Sequence, residues 1–480
     1  MAAKTKRRAA RYPLSGRTAA LKLKETSQGI LLPPDWSIDA SQKSGLSKVN
    51  GGFADSAFSD NKLRPIHRWV PWIAGFSAEF VQDAFARYLP PNSNVRAVVL
   101  DPFCGVGTTL IEAMRCGHDA VGFEINPYAA LAATAKCQAA DIAPEQVGGV
   151  ILKFQQHMSR AARRNGTAAV PEYFRSRIPF FGSHSQAKVL KAVGFIQHIE
   201  PKNIQDLFWL AFGSVMVSLS NYSYEPSLSS RPAAGKATQD DAPVAEAILT
   251  KLLAMKSDVS WFRAELDRFE PRSTGRVITE SFLKGARQLR AGSVDLIVTS
   301  PPYLNNYHYV RNTRPQLFWL GFIKKASELK GLENQNFGKY WQTVRDLESV
   351  PLDFEHPGLE GLLEKISKIG LDRGTYGGPG WANYAATYFN DMNRFCCAAE
   401  HVLRPQGRAV VVVGNSILQG VEIPIDNILA DLASRHNLVT ENIHIVRQKR
   451  VGASIVASSV RQGAKSTARL YESAVVLRRI

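Results

Sequence analysis

Cysteine is scarce in this chain. Five occur in 480 residues, at Cys104, Cys116, Cys137, Cys396 and Cys397, with no CxxC spacing and no histidine cluster beside them. That argues against a structural zinc site and a disulfide framework, and it fits a reducing compartment. Long apolar runs are missing too. No stretch approaches the roughly 18 apolar residues that a membrane span needs, and no apolar signal core follows Met1, so neither membrane insertion nor export is expected. Acid is in short supply, 42 Asp and Glu standing against 59 Lys and Arg for a net charge of +17. A surplus of that size attracts a polyanion. Two phosphate-binding signatures are also incomplete. The glycine loop at 101–109 has Leu110 where GxGxxG needs its third glycine, which disfavours a nicotinamide enzyme, and no Gly-Lys-Ser/Thr completes a P-loop.

What is present divides into four stretches. Residues 1–24 hold eight Lys or Arg and no acid, and 1–62 as a whole is a basic, aperiodic stretch that reads as a flexible arm. From 63 the pattern is α/β. An apolar strand at 95–100 enters the glycine loop, a helix follows, a second strand at 120–123 ends in Glu124, and an alanine-rich helix runs to about 140. Further strands are expected at 294–299, 409–413 and 473–477. Strands alternating with helices predict a mostly parallel sheet with helices on both faces. The stretches 141–277 and 323–385 exceed what such a sheet needs and read as largely helical insertions, with helical spacing at 251–269 and a buried helix at 207–219. The remainder, 278–480, carries the later strands.

Two loops carry chemistry. In Asp101-Pro102-Phe103-Cys104-Gly105-Val106-Gly107-Thr108-Thr109 the glycines allow a tight turn after a strand and close approach to a ligand. The helix that begins there offers unpaired amides. Glu124, at the end of the next strand, is placed to accept the two hydroxyls of a ribose. The second loop is Ser300-Pro301-Pro302-Tyr303, directly after the strand at 294–299. Two prolines cannot continue a ladder, so the backbone leaves the sheet at its carboxyl edge. The Ser300 hydroxyl and the Pro301 carbonyl can each accept one hydrogen of a ring-attached amine, and Tyr303 can stack on that ring.

Together the two loops resemble the amino methyltransferases of bacterial restriction and modification systems, which methylate cytosine N4 or adenine N6 in DNA. The glycine loop, with its Asp101-Pro102-Phe103 start and Thr108-Thr109 end, resembles their cofactor motif, and 299–303 resembles their catalytic motif in its serine form, which is commoner among cytosine N4 enzymes. Residues 72–80, with Gly75, Phe76 and Ser77, resemble the segment that closes over the methionine part of the cofactor. Residues 304–322 and 402–416 resemble later parts of the same domain. The resemblance covers about 65–140 and 278–480.

It implies a class I, Rossmann-like fold with a seven-stranded sheet whose last strand is reversed, S-adenosyl-L-methionine as donor, and flipping of the target base. By carry-over Phe76, Ser77, Asp101, Phe103, Gly105, Gly107, Thr108 and Glu124 bind the cofactor, while Ser300, Pro301, Pro302 and Tyr303 hold the base. No metal is expected. The acidic residue that touches the cofactor adenine in the family falls on Glu280 or Ser281. Residues 63–140 are then the cofactor half of the domain and 278–480 the catalytic half. The insertion 141–277 is assigned to target recognition, with Arg160, Arg163, Arg164, Arg175 and Arg177 as candidate contacts to DNA among Tyr173, Phe174, Phe180 and Phe181.

The expected reaction is direct methyl transfer to the amine of a base in double-stranded DNA, in the bacterial cytoplasm, with room for a cognate restriction nuclease as partner. Carbon-5 methylation needs a cysteine nucleophile, usually after proline, and no Pro-Cys pair exists. Rival readings are an adenine-N6 enzyme, an RNA guanine-N2 methyltransferase, a methyltransferase of protein glutamine, and a DNA-binding module without catalysis.

Overall fold

The structure is a computed structural model and describes residues 48–49, 53–54, 56, 61–72, 75, 77–90, 95–160, 168–224, 227–304, 308–450 and 469–480. Valine and isoleucine without polar alternation are what a strand needs when both its faces are covered. Such runs make the centre of one large sheet. Its strands are β1 (Lys48–Val49), β2 (Val98–Asp101), β3 (Asp119–Phe123), β4 (Gly275–Ile278), β5 (Val294–Thr299), β6 (Leu403–Gly414), β7 (Leu438–Arg450) and β8 (Arg469–Arg479). Their order is β4-β3-β2-β5-β6-β8-β7-β1. The run from β4 to β6 is parallel throughout, and β8 is antiparallel to both β6 and β7. This is the expected α/β sheet with its reversed last strand, plus the two-residue β1 beside β7.

The strand order turns back at β2 and β5, which are neighbours with Val99 opposite Leu296 and Leu100 opposite Ile297. Ligands of open α/β sheets bind outside the carboxyl ends of strands at such a point. Both chemistry-bearing loops leave the sheet there.

Three helices frame the first half: α1 (Ala78–Tyr88), α2 (Thr108–Arg115) and α3 (Pro127–Cys137). The first insertion supplies α4 (Pro144–Ser159), α5 (Ser183–Ile196), α6 (Lys202–Val215) and α7 (Val244–Leu266). These do not build a core of their own. Phe154, Phe208 and Phe262 belong to the same apolar cluster as Val99, Leu110, Leu296 and Val410 of the sheet region. Helix α8 (Tyr309–Trp319) follows the Ser300 loop, and the long α9 (Gly378–Val402) closes the second insertion and continues into the catalytic half.

Several boundaries shift. The end of the stretch assigned to the arm is built into the fold: β1 pairs with β7, Ser56 Oγ donates to Glu472 Oε2 at 2.7 Å, and buried Asn61 accepts from the Ala78 amide at 3.1 Å. The basic residues before 48 lie outside the described residues. The first insertion ends before β4, because Gly275–Ile278 is a sheet-edge strand beside β3. Phe174, Phe180 and Phe181 are packed against Phe318, Trp319 and Tyr222, so these rings are core and not a DNA-reading surface. Arg160, Arg175, Arg177 and Tyr173 are exposed, while Arg163 and Arg164 lie outside the described residues. Among the described residues no helix is long and apolar enough to cross a membrane.

Candidate active site

The glycine turn has the backbone that its sequence demands. Gly105 and Gly107 have φ of +51° and +84°, a region in which side chains are strained. A Cβ on Gly107 would stand 3.1 Å from Ala133 Cβ and 3.2 Å from Ala133 Cα, so α3 packs directly on the turn. Gly107 also starts α2, whose first amides point out of the helix. Cys104 is buried beneath the turn, where a Cβ on Gly122 would meet its sulfur, and burial pushes its thiol well up. It is a packing residue.

Glu124 sits at the junction of turn and cavity. Its Oε2 accepts the Gly105 amide at 2.9 Å and its Oε1 the Asn126 amide at 2.7 Å. Each oxygen keeps acceptor capacity beyond these bonds. Burial pushes the carboxyl up to about 7.

Asp101 acts differently from the sequence expectation. Its Oδ1 accepts from the Phe103 amide at 3.1 Å and from Thr299 Oγ1 at 2.7 Å, while its Oδ2 accepts from Thr109 Oγ1 at 2.8 Å. Burial pushes it up to about 6. It does not line the cavity. Instead it ties the residue before Ser300 to the glycine loop across 198 positions of sequence.

One cavity receives both loops. Phe103, Gly105 and Glu124 line it on one side, Ser300 and Pro302 on another, and both Glu280 and Ser281 face it as well. In a chain of charge +17 the described residues of its lining include two carboxylates, Glu124 and Glu280, and no Lys, Arg or His. A phosphate would find no cation there. A ligand carrying positive charge finds the right field.

The remaining described candidates stand outside this lining. Ser77 caps α1, its Oγ accepting the Phe80 amide at 3.1 Å. Thr108 is buried beside Asn61, whose Nδ2 reaches its Oγ1 at 3.5 Å. Phe76 lies outside the described residues. Gly107 acts through the turn it shapes. Pro301 is buried. Tyr303 packs close against Gly414 at the end of β6, where an added Cβ would lie 3.0 Å from the ring, and its hydroxyl accepts from Ser300 Oγ at 3.5 Å. Burial pushes its phenol up.

Sequence reasoning missed part of the lining. Tyr309 from α8 and Asn336 and Phe337 from the second insertion face the cavity. Phe337 meets Phe103 edge to face, with centroids 5.2 Å apart. Nothing in the local pattern of 323–385 marks them, since an insertion advertises only its helices.

With the geometry in hand, comparison with known proteins is direct. A family model described as DNA methylase matches residues 49–135. The type II methyltransferase M.BsoBI of Geobacillus stearothermophilus is 23% identical over 433 residues, covering 83% of each chain. M.AvaI of Nostoc sp. is 22% identical, covering 81% of this chain and 82% of its own, and M.MvaI of Kocuria varians is 22% identical, covering 70% and 74%. The similarity to the first two runs through both loops and both insertions, far beyond the glycine turn. These similarities support an amino DNA methyltransferase of restriction-modification type, with S-adenosyl-L-methionine as the methyl donor.

Proposed function

We propose that the protein methylates a specific DNA sequence on the exocyclic amino group of an extruded base, with cytosine N4 as the favoured target. The observation that carries this reading is the shared cavity, in which Ser300 and Pro302 face the same space as Gly105 and Glu124 at the point where the sheet order turns back.

The residues present fit the donor. Glu124 offers two carboxylate oxygens to a ribose, Ile125 and Phe282 give apolar walls for a purine, and the acidic lining suits a cationic ligand. Bound there, S-adenosyl-L-methionine supplies an electrophilic methyl group on a sulfonium centre. The protein's own work is at the amine. An amino group on a heteroaromatic ring has its lone pair delocalised, and acceptors on both hydrogens favour the geometry that frees it. Ser300 Oγ and the Pro301 carbonyl take those two positions in this reading. Tyr303, braced on Gly414 beside the cavity, is the ring assigned in this reading to stack on the extruded base. The Asp101 bonds to Thr109 and Thr299 hold both loops in one register, which is the positioning on which such a reaction depends.

The preference for cytosine rests on the serine at position 300. Expression in a methylation-free host, followed by digestion of its DNA to nucleosides and mass spectrometry, is expected to show N4-methylcytosine. N6-methyladenine would keep the class and change the base, and unmodified DNA would overturn the reading.

Donor binding is expected to depend on pH. The Glu124 carboxyl is raised to about 7 by burial, and the charge of Asp101 pushes the same way. The carboxylate that accepts hydroxyls is populated above that value, so affinity falls as pH drops through 7, by at most about tenfold per unit. Titration calorimetry at pH 8 and pH 6 tests this, and Glu124→Gln is expected to flatten the dependence. Equal affinity at both pH values in the wild type would contradict the assignment.

A further inference from the structure

Two aromatic rings wall the cavity between the glycine turn and Ser300. Trp72 packs its indole on the turn, with Nε1 3.3 Å from where a Cβ on Gly105 would stand. Tyr309, the first residue of α8, stacks on Trp72 with ring centroids 6.0 Å apart and planes inclined by 18°. Both face the same cavity as Ser300 and Pro302. The face of an aromatic ring carries negative potential and attracts a cation that has been taken out of water. Among the described residues of the lining there is no cationic side chain to compete for these rings.

We infer that Trp72 and Tyr309 recognise the positive sulfonium of the donor through their ring faces, and that they make the site hold the methylated donor more tightly than the thioether left after transfer. The inference rests on the reading that S-adenosyl-L-methionine occupies this cavity. Glu124 and Glu280 are assigned to the ribose and the adenine, which donor and thioether share, so their carboxylates add a general attraction for positive charge while the ring faces meet the sulfur itself. The sulfur is where the two differ in charge. The arrangement therefore favours exchange of spent for fresh cofactor.

The test is titration calorimetry on the full chain with S-adenosyl-L-methionine and, separately, S-adenosylhomocysteine. Tyr309→Leu is the main variant, since Tyr309 belongs to α8 and not to the glycine turn. It is expected to weaken donor binding roughly fivefold while thioether binding changes less than about twofold. Tyr309→Phe keeps the ring and is expected to keep the ratio. Trp72→Phe, which preserves an aromatic ring against Gly105, serves as a second variant, and thermal melts of each confirm that it folds. An equal loss for both ligands in Tyr309→Leu would mean that the ring only packs, and the inference would fall. Failure of the wild type to bind either ligand would instead overturn the functional reading itself.

Discussion

Ser300→Ala is expected to lower single-turnover methylation at least about a hundredfold while leaving donor affinity within about twofold of wild type. The asymmetry follows from where Ser300 stands. It follows β5 and lines the cavity, but the turn proposed to cradle the donor is shaped by Gly105, Gly107 and Glu124 on the other side. Removing Oγ deletes one of two acceptors proposed for the amine and disturbs nothing in the glycine loop. Its backbone place is secured by Thr299, whose hydroxyl bond to Asp101 survives the substitution. The measurement is transfer of radiolabelled methyl to DNA under single-turnover conditions, paired with calorimetry of donor binding. Turnover within about threefold of wild type would remove Ser300 from the mechanism.

The second large effect falls on stability. Asp258, on α7 of the first insertion, is 2% exposed and accepts four bonds: from Arg68 Nε at 3.0 Å, Arg68 Nη2 at 2.6 Å, Trp69 Nε1 at 3.0 Å and the Ile66 amide at 2.9 Å. Ile66 has φ of +63°, a strained conformation for a β-branched residue that persists only where its surroundings hold it. Asp258→Ala strands a buried indole N–H and a buried amide and releases that strain. The Arg68 side chain is 37% exposed and can turn to water, which limits the loss on its side. A net destabilisation of about 3 kcal/mol is expected. Chemical denaturation monitored by tryptophan fluorescence checks it, and Asp258→Asn should lose less because one acceptor oxygen remains. An unchanged midpoint for Asp258→Ala would show that the insertion is held by its apolar contacts alone.

Both predictions show how unevenly the molecule is written in its residues. The strand ends at Asp101 and Thr299, the turn glycines, Glu124 and the Pro301-Pro302 exit are all local backbone statements, and each is found where contiguous residues place it. The helices of the first insertion are also found, at 202–215 and 244–266 against expectations of 207–219 and 251–269. Strands β4 and β7 escaped notice for one physical reason. β4 lies at the sheet edge without a fully buried residue, and β7 interleaves Thr440, Asn442 and His444 with its apolar residues, so neither has the unbroken apolar run that marks a covered strand. The aromatic residues at 174, 180 and 181 left two readings open, DNA contact or core, and packing decided for core, since an arginine-rich neighbourhood says nothing about which way a ring points.

By itself the sequence determined the parts of the site: a glycine turn after one strand, a proline exit after another, a carboxylate between them, and the scarcity of acid over the whole chain. Only the tertiary structure decided that β2 and β5 are neighbours, that Asp101 joins their ends instead of facing the cavity, and that Trp72, Tyr309 and Phe337 close the walls. The division has a physical cause. Turn geometry is set by the dihedral freedom of a few adjacent residues, whereas strand order and cavity lining are set by the burial of apolar surface over the whole chain, which brings together residues with no local signal that they will meet.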